Sequence, residues 1–141
     1  MKLTAFTDGA ARGNPGNAGI GIVIKDGEGK TIHTVKQYIG TTTNNIAEYT
    51  ALITLLEFIK QSETLRCTEL VVKTDSELMA RQINGTYKVK DADLKLLFQK
   101  VKLLLHTAPY RFTIEHIPRS LNHEADRLAN EAINDYEKSR R

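Results

Sequence analysis

The segment over residues 3–21 places the strongest constraint on the fold of this chain. A β-prone apolar run from Leu3 to Thr7 leads to a carboxylate, Asp8, and small and turn-forming residues follow from Gly9 onward. The pattern predicts a strand that stops at Gly9 and a tight loop that another backbone or a ligand can approach closely. A carboxylate at the end of a buried strand is costly unless a cation meets it. The alternative is that Asp8 only opens an Asx-type turn.

Apolar residues then alternate through a second and a third strand. Strands are predicted over 18–25 and 31–39, joined by a turn at 26–29, so that the first three strands form an antiparallel meander. A polar junction over 40–45 precedes a helix over 45–61, whose apolar residues recur at the helical period. The first half of the chain is therefore predicted to be three strands followed by a helix.

Strand and helix patterns alternate in the second half of the chain. We expect strands over 69–74 and 110–117, helices over 76–84, 91–106 and 122–136, and a short basic connection over 86–90. Because strand–helix–strand connections favour parallel pairing, the predicted class is α/β. At 141 residues we expect a single domain over 1–141, with a core over about 3–136 and a short basic C-terminal tail.

The composition excludes several classes of protein. A single cysteine, Cys67, excludes an internal disulfide and a cysteine-rich zinc site. No apolar run reaches the ~20 residues of a membrane span. We therefore expect a cytoplasmic protein that has no membrane partner and acts as a monomer. The formal net charge of +3 indicates a mild preference for polyanions.

Four carboxylates occupy similar positions at strand ends and helix starts. Asp8 and Asp75 each follow a predicted strand, Glu48 lies on the apolar stripe of its helix, and Asp126 faces inward in the first turn of the last helix. Two of them have a simpler interpretation. Glu48 fits a capping-box residue that reaches back to Asn45, and Asp75 fits a favourable charge at a helix N-terminus.

Four uncompensated anions in a core would cost more than a fold of this size can tolerate. They must be dispersed, protonated or met by cations. Oxygen ligands without cysteine suit Mg²⁺ or Mn²⁺. Two such ions ~3.5–4 Å apart stabilise the attacking and leaving oxygens when a phosphodiester is displaced. The pattern therefore predicts a two-metal phosphodiester site, provided that the four side chains meet.

Four motifs, in this order and spacing, resemble type 1 ribonuclease H. They are Phe6-Thr7-Asp8-Gly9 with Gly13-Asn14-Pro15-Gly16, then Thr43-Asn44-Asn45-x-x-Glu48, then Thr74-Asp75-Ser76, and last Asn122-x-x-Ala125-Asp126-x-Leu128-Ala129. The resemblance implies a ribonuclease H-like α/β fold, a five-stranded mixed sheet of order 3-2-1-4-5 flanked by helices. It also implies a metal-dependent endonuclease that hydrolyses the RNA strand of RNA–DNA hybrids to 3′-hydroxyl and 5′-phosphate products.

The same resemblance assigns roles to the four carboxylates. Asp8 would bridge two ions, Mg²⁺ or Mn²⁺, with substrate bound. Glu48 and Asp75 would share the ion that activates water, and Asp126 would hold the leaving-group side. All four are thus expected to be both metal ligands and catalytic residues.

Family members often carry a loop histidine ten residues before the last aspartate. His116 has that spacing from Asp126, but it lies where the fifth strand is still predicted. Arg119 is the alternative occupant of the loop position. Both are expected to belong to the catalytic group, as aids to proton movement or product release.

The resemblance further implies contacts with the hybrid. The residues at matching positions are Gly13, Asn14, Thr43, Asn44, Asn45, Ser76 and Glu77. Thr43 matches a residue that anchors a DNA-strand phosphate, and amide side chains suit recognition of the 2′-hydroxyl that separates RNA from DNA.

The chain departs from the well-known bacterial form of this family. It lacks the basic, tryptophan-bearing protrusion, because the corresponding region is only residues 85–90 and tryptophan is absent. We expect Tyr87, Lys88 and Lys90 to substitute for it in part, with weaker and salt-sensitive hybrid binding. Other RNA-containing duplexes are possible substrates of such a short form.

Overall fold

Five strands form one mixed sheet, and the computed structural model describes all residues from 1 to 141. The strand order is β3-β2-β1-β4-β5. β1 (Lys2–Gly13), β2 (Gly16–Lys25) and β3 (Thr31–Thr42) form the antiparallel meander, whereas β4 (Glu69–Thr74) and β5 (Arg111–His116) add in parallel orientation. The predicted class and strand order are confirmed.

Three of the four helices begin at polar residues whose side chains satisfy a free backbone N–H group. The helices are α1 (Asn44–Gln61), α2 (Glu77–Ile83), α3 (Ala92–His106) and α4 (His123–Ser139). Thr43, Ser76 and Asp91 accept hydrogen bonds from N–H groups in the first turns of α1, α2 and α3. A short 3₁₀ turn, Arg119–Leu121, precedes α4, and α4 continues to Ser139 rather than ending at residue 136.

The main core lies between α1 and one face of the sheet. Leu52, Leu55 and Leu56 of α1 are buried there with strand residues such as Ile22 and Leu70. On the opposite face α4 packs against β1, β2 and β3. Because α1 packs on β1 from one face and α4 packs on it from the other, β1 lies between two layers of helix.

The prediction that β1 stops at Gly9 was wrong. The strand continues to Gly13, and the turn to β2 is formed only by Asn14 and Pro15. The small residues serve helix packing rather than a loop, because a Cβ on Gly9 would lie 2.2 Å from the backbone carbon of Ala47 in α1. The predicted close approach of another backbone is therefore confirmed, although the loop is not.

The third strand is also longer than predicted. β3 extends through Thr42, so half of the expected polar junction over 40–45 is strand, and Thr41 and Thr42 pair with Asn17 and Gly16 of β2. The long β1–β2–β3 ribbon carries its turn to the start of α1. None of the helices combines the length and the apolar character that crossing a lipid bilayer requires.

Candidate active site

Three carboxylates meet at the edge of the sheet where the parallel pairing of β1 and β4 ends. The last parallel pair is Thr7 with Thr74, and Asp8 and Asp75 follow directly. Glu48 reaches the same point from the second turn of α1. One ligand oxygen from each of the three lies within 4.8 Å of the others. The register of two strands and the position of one helix therefore build this cluster.

The carboxylates of the cluster have too little positive charge near them, because the charge of Arg119 lowers the pKa of Glu48 less than burial raises it. Asp8 and Glu48 are buried. Burial, followed by the charges of Glu48 and Asp75, raises the pKa of Asp8 from its ordinary value to about 9. Burial and the charge of Asp75 raise the pKa of Glu48 to about 8, although the Gly9 N–H donates to it and acts in the opposite direction. At neutral pH the cluster favours a bound cation or a proton.

The donor set fits a hard divalent cation. All of the side-chain donors are carboxylate oxygens, and neither histidine nor cysteine belongs to the cluster. Oxygen-only sites of this kind suit Mg²⁺ and Mn²⁺ rather than zinc or copper. Asp8, Glu48 and Asp75 are therefore the residues that would hold such an ion.

The fourth carboxylate is more exposed than Asp8 and Glu48, although it is close enough to Asp8 to raise the pKa of Asp8 further. Asp126, in the first turn of α4, has a side chain that is 29% exposed, and its Oδ1 lies 3.6 Å from the guanidinium of Arg119. Together with the other three it lines an open cleft of about 340 Å³. The four carboxylates thus share one cleft. The expectation that all four are buried is wrong for Asp75 and Asp126, which are half-buried.

The simpler interpretations of Asp8 and Glu48 are also wrong. Asp8 lies inside a continuous strand opposite Gly21, so it opens no turn. Glu48 does not cap its helix, because Thr43 does so, and its Oε1 instead accepts a 2.9 Å hydrogen bond from the Gly9 N–H. That bond ties α1 to β1 at the cluster. At the start of α2 the capping role belongs to Ser76, so Asp75 is not needed there.

Sequence reasoning missed one residue that positions two of the carboxylates. Asn122 is buried, and its Nδ2 donates a 2.9 Å hydrogen bond to the carbonyl of Thr7, the residue before Asp8. Its own carbonyl accepts from the N–H of Asp126. Asn122 therefore joins β1 to the start of α4. The signal in the sequence was an asparagine at a predicted helix start, a position where this residue type is favoured.

A groove beside the cleft brings together several residues expected to contact a hybrid. Asn14 accepts a hydrogen bond from the N–H of Asn44, whose Oδ1 accepts from the N–H of Ala11. Asn14, Thr43, Asn44 and Asn45 line an open cavity of about 460 Å³, and Asn44 and Asn45 also line the carboxylate cleft. The β1–β2 turn and the start of α1 thus form one polar wall beside the carboxylates.

The chain matches a family and several characterised relatives. A family model described as reverse transcriptase-like matches residues 6–132. Ribonuclease H of Halorhodospira halophila is 34% identical over 148 residues, which cover 94% of this chain and 93% of that protein. The chain belongs to the type 1 ribonuclease H family. Ribonuclease HI of Halobacterium salinarum is 38% identical over 134 residues. That match covers 95% of this chain but only 65% of the relative's length.

Solved structures of the family agree with the fold. LC11-RNase H1 in complex with an RNA/DNA hybrid is 47% identical, with a TM-score of 0.89 over 95% of this chain and 98% of that chain. RNase H1 from Halobacterium salinarum is 37% identical with a TM-score of 0.88, over 96% of this chain and 99% of that chain. The architecture is therefore that of a short type 1 ribonuclease H.

Two further groups of ribonuclease H contact positions lie outside the groove. Gly13 is at the tip of the β1–β2 hairpin with a φ of 119°. Ser76 and Glu77 follow Asp75 at the start of α2, where Ser76 caps the helix and Glu77 pairs with Arg81. These positions remain predicted contacts.

The connection between α2 and α3 exposes its aromatic and basic side chains. Tyr87 is 47% exposed and lies under the guanidinium of Arg81, at 5.2 Å from the ring centroid. Lys88 and Lys90 are exposed. All three remain available to a substrate, which is the arrangement that their predicted role needs.

The two candidates for the ribonuclease H loop position differ in location. His116 is the last residue of β5, where it pairs with Thr74, and its side chain is exposed. Arg119 begins the 3₁₀ turn and lines the carboxylate cleft. The structure therefore brings Arg119 to the carboxylates, and it does not place His116 among the residues that line the cleft.

Proposed function

We propose that this chain is a metal-dependent endonuclease that hydrolyses the RNA strand of RNA–DNA hybrids, leaving 3′-hydroxyl and 5′-phosphate ends. The observation that carries the proposal is the meeting of Asp8, Glu48 and Asp75 within 4.8 Å beside Asp126. A pair of Mg²⁺ or Mn²⁺ ions bound there would supply water activation and charge stabilisation at the phosphorus. Membership of the ribonuclease H family supports the same assignment.

The residues of the chain divide the work around the scissile phosphate. Asp8, Glu48 and Asp75 would hold the cation on the side of the cleft from which water attacks, and Asp126 would hold the cation on the leaving-group side. The P–O3′ bond breaks on the other side, where Asp126 and Arg119 lie. The side chain of Arg119 is 80% exposed. Its guanidinium can therefore reach the charge that develops on the departing oxygen. In this role Arg119, rather than His116, fills the loop position.

Substrate selection is assigned to the polar wall formed by the β1–β2 turn and the start of α1. Asn14, Asn44 and Asn45 present amide groups beside the cleft, which suits contacts with the 2′-hydroxyls of the RNA strand. Thr43 is proposed to hold a phosphate of the DNA strand, supported by Gly13 at the hairpin tip. Ser76 and Glu77 would meet the RNA strand next to Asp75.

The short α2–α3 connection determines how firmly the hybrid is held. Tyr87, Lys88 and Lys90 are the exposed groups there, and two lysines neutralise few phosphates. We therefore propose weak, salt-sensitive binding. Such binding leaves other RNA-containing duplexes, including double-stranded RNA and RNA–DNA junctions, as candidate additional substrates.

The assembly and location of the protein are also proposals. All four carboxylates come from one chain, which supports a monomer as the active unit. One sheet carries the core and the site, which supports a single domain over 1–141. The free cysteine, Cys67, is buried and unpaired, as suits the cytoplasm.

Cleavage of three matched, end-labelled duplexes tests the proposal. The RNA·DNA hybrid, the RNA·RNA duplex and the DNA·DNA duplex are each incubated with Mg²⁺, with Mn²⁺ and with a chelator. We expect metal-dependent cutting of the RNA strand of the hybrid. Comparable cutting of RNA·RNA would replace the proposal with a broader nuclease, and binding without cutting under every metal condition would indicate a catalytically silent module.

A further inference from the structure

One face of the sheet is open next to the carboxylates. We define the open sheet face as the side of β1, β4 and β5 that carries Phe6 and Lys73, beyond the area that α4 covers. Phe6 pairs with Lys73 across β1 and β4, and side chains two residues apart on a strand point to the same face. The side chains of Phe6 and Asp8 therefore lie on the same face of β1. On the neighbouring strand, Lys73 is followed on that face by Asp75. The open sheet face runs directly into the cleft.

An aromatic ring with two ammonium groups lies in the middle of this face. The Nζ of Lys25, from β2, is 5.3 Å from the ring centroid of Phe6, and the Nζ of Lys73, from β4, is 5.8 Å from it. Both distances are near the outer limit of a cation–π contact, about 6 Å, so the ammonium groups remain available to other anions. Phe6 and Lys25 also line two open cavities, of about 280 and 260 Å³.

The open sheet face carries charges of both signs. The strand residues whose side chains share this face include the cations Lys2, Lys25, Lys73 and Arg111 and the anions Asp8, Glu69, Asp75 and Glu115. Glu124, at the start of α4, lies 3.9 Å from Lys25 and offsets part of its charge. The two ammonium groups beside Phe6 are therefore the local cations that a phosphate could meet, while the carboxylates Asp8 and Asp75 lie at the cleft end of the face.

We propose that the open sheet face binds an unpaired tail of the nucleic-acid substrate, with a base against Phe6 and phosphates on Lys25 and Lys73. The inference rests on the proposed function, because it takes the cleft as the point from which the strand leaves. Phe6 and Asp8 are two strand residues, or about 7 Å, apart. A nucleic-acid strand that leaves the carboxylates on this side therefore meets the ring of Phe6 directly.

The chemistry of the face selects a single strand over a duplex. The bases of a duplex are stacked on one another, whereas an unpaired base offers its flat surface to an aromatic side chain. A phenylalanine among lysines stacks on any base, so the contact carries no sequence preference. The expected result is tighter binding of tailed substrates of either sequence.

Fluorescence anisotropy in a chelator, without cleavage, tests the inference. The probes are a blunt RNA·DNA hybrid and the same hybrid with a six-nucleotide single-stranded tail at either end. We expect the wild type to bind one tailed form about 5–10-fold more tightly than the blunt form. Phe6→Leu, which keeps the apolar bulk but not the aromatic face, should remove most of that ratio. In Lys73→Gln, the affinity for the tailed hybrid should depend less steeply on salt concentration, by the amount expected for the loss of about one phosphate contact.

Lys60→Gln is the matched control, because Lys60 is an exposed lysine at the end of α1, in a different part of the molecule. This variant should keep the wild-type ratio of tailed to blunt affinity. Thermal unfolding of each variant verifies that it is folded. Equal affinity for tailed and blunt hybrids in the wild type, or an unchanged ratio in Phe6→Leu, would overturn the inference. Failure to cut a blunt hybrid would count against the proposed function alone, because the binding ratio does not depend on cleavage.

Discussion

The two sides of the carboxylate cleft are built differently. On one side Asp8 and Glu48 are buried with Asp75 against them, and the pKa values of Asp8 and Glu48 are raised to about 9 and about 8, mainly by burial. On the other side Asp126 is 29% exposed and lies beside the largely exposed Arg119. Asp126 has a cation in contact, whereas Arg119 acts on Glu48 only through its charge, which lowers the pKa of Glu48 less than burial raises it.

This difference indicates which side depends on metal. On the buried side, the β1–β4 pairing and the Gly9–Glu48 hydrogen bond hold the backbones that carry the carboxylates close together. Asp126 sits in a helix start that water reaches, and solvent and Arg119 both screen its charge. We therefore expect the buried side to depend more strongly on a metal ion than the Asp126 side does.

The largest effect is expected from Asp8→Asn. Asp8 is buried, and its carboxylate lies within 4.8 Å of those of Glu48 and Asp75. An amide at this position cannot supply the same charge to a divalent cation. Cleavage of the hybrid should fall by about 10³-fold or more in Mg²⁺. The measurement is single-turnover cleavage of an end-labelled hybrid. Asp135→Asn, which removes an exposed carboxylate on α4, is the control and should cut as the wild type does.

A smaller loss is expected from Asp126→Asn. Asp126 is not one of the three carboxylates whose oxygens all lie within 4.8 Å of one another, and it is partly solvated, although it interacts with Asp8. Because water can replace a solvated ligand more easily than a buried one, the loss should be about 10–100-fold. Cleavage rates at several Mg²⁺ concentrations measure it. A loss as large as that of Asp8→Asn would show that the two sides do not differ in the way described here.

The same contrast explains which parts of the site were predictable from sequence. Glu48 and Asp75 were found because a helical stripe and a strand end are local patterns in the sequence. Asp8 was found from the β-prone run before it, although the strand that carries it continues to Gly13. The exposure of Asp126 was not predictable, since it depends on how α4 docks on β2. That docking is set by Gly21, where a Cβ would lie 2.1 Å from the carbonyl oxygen of Ala125.

The fold was predictable to the same extent. Its class, strand order and helices follow from periodicity, and only element ends were misplaced. Gly9 and Gly13 have low strand propensity, which favours a loop. Two tertiary effects override this preference: β2 pairs along the whole of β1, and the backbone of α1 packs where Gly9 has no side chain.

In the absence of metal, stability should fall as pH rises. The folded pKa values of Asp8 and Glu48 lie above their unfolded values, so the folded state holds more protons between about pH 4 and pH 9. Raising the pH from 5 to 8 in a chelator should therefore lower the free energy of unfolding. Urea unfolding at the two pH values measures the change.

Two controls separate this effect from other titrations. Asp8→Asn should be more stable than the wild type at pH 8 in a chelator, and the two should converge near pH 4. Saturating Mg²⁺ should remove most of the pH dependence in the wild type, because the cation replaces the proton. A wild type that becomes more stable from pH 5 to pH 8 in a chelator would contradict the description of the buried side.

The smallest effect is expected from Arg119→Gln. Arg119 acts from the solvated side, and an exposed ion pair contributes at most about 1 kcal/mol, which corresponds to roughly a fivefold lower cleavage rate. His116→Gln is the matched comparison, because His116 lies at the end of β5 and does not line the cleft. It should cut within about twofold of the wild type. The reverse order, with His116→Gln the slower enzyme, would return the loop role to the histidine and leave Arg119 as a partner of Asp126 only.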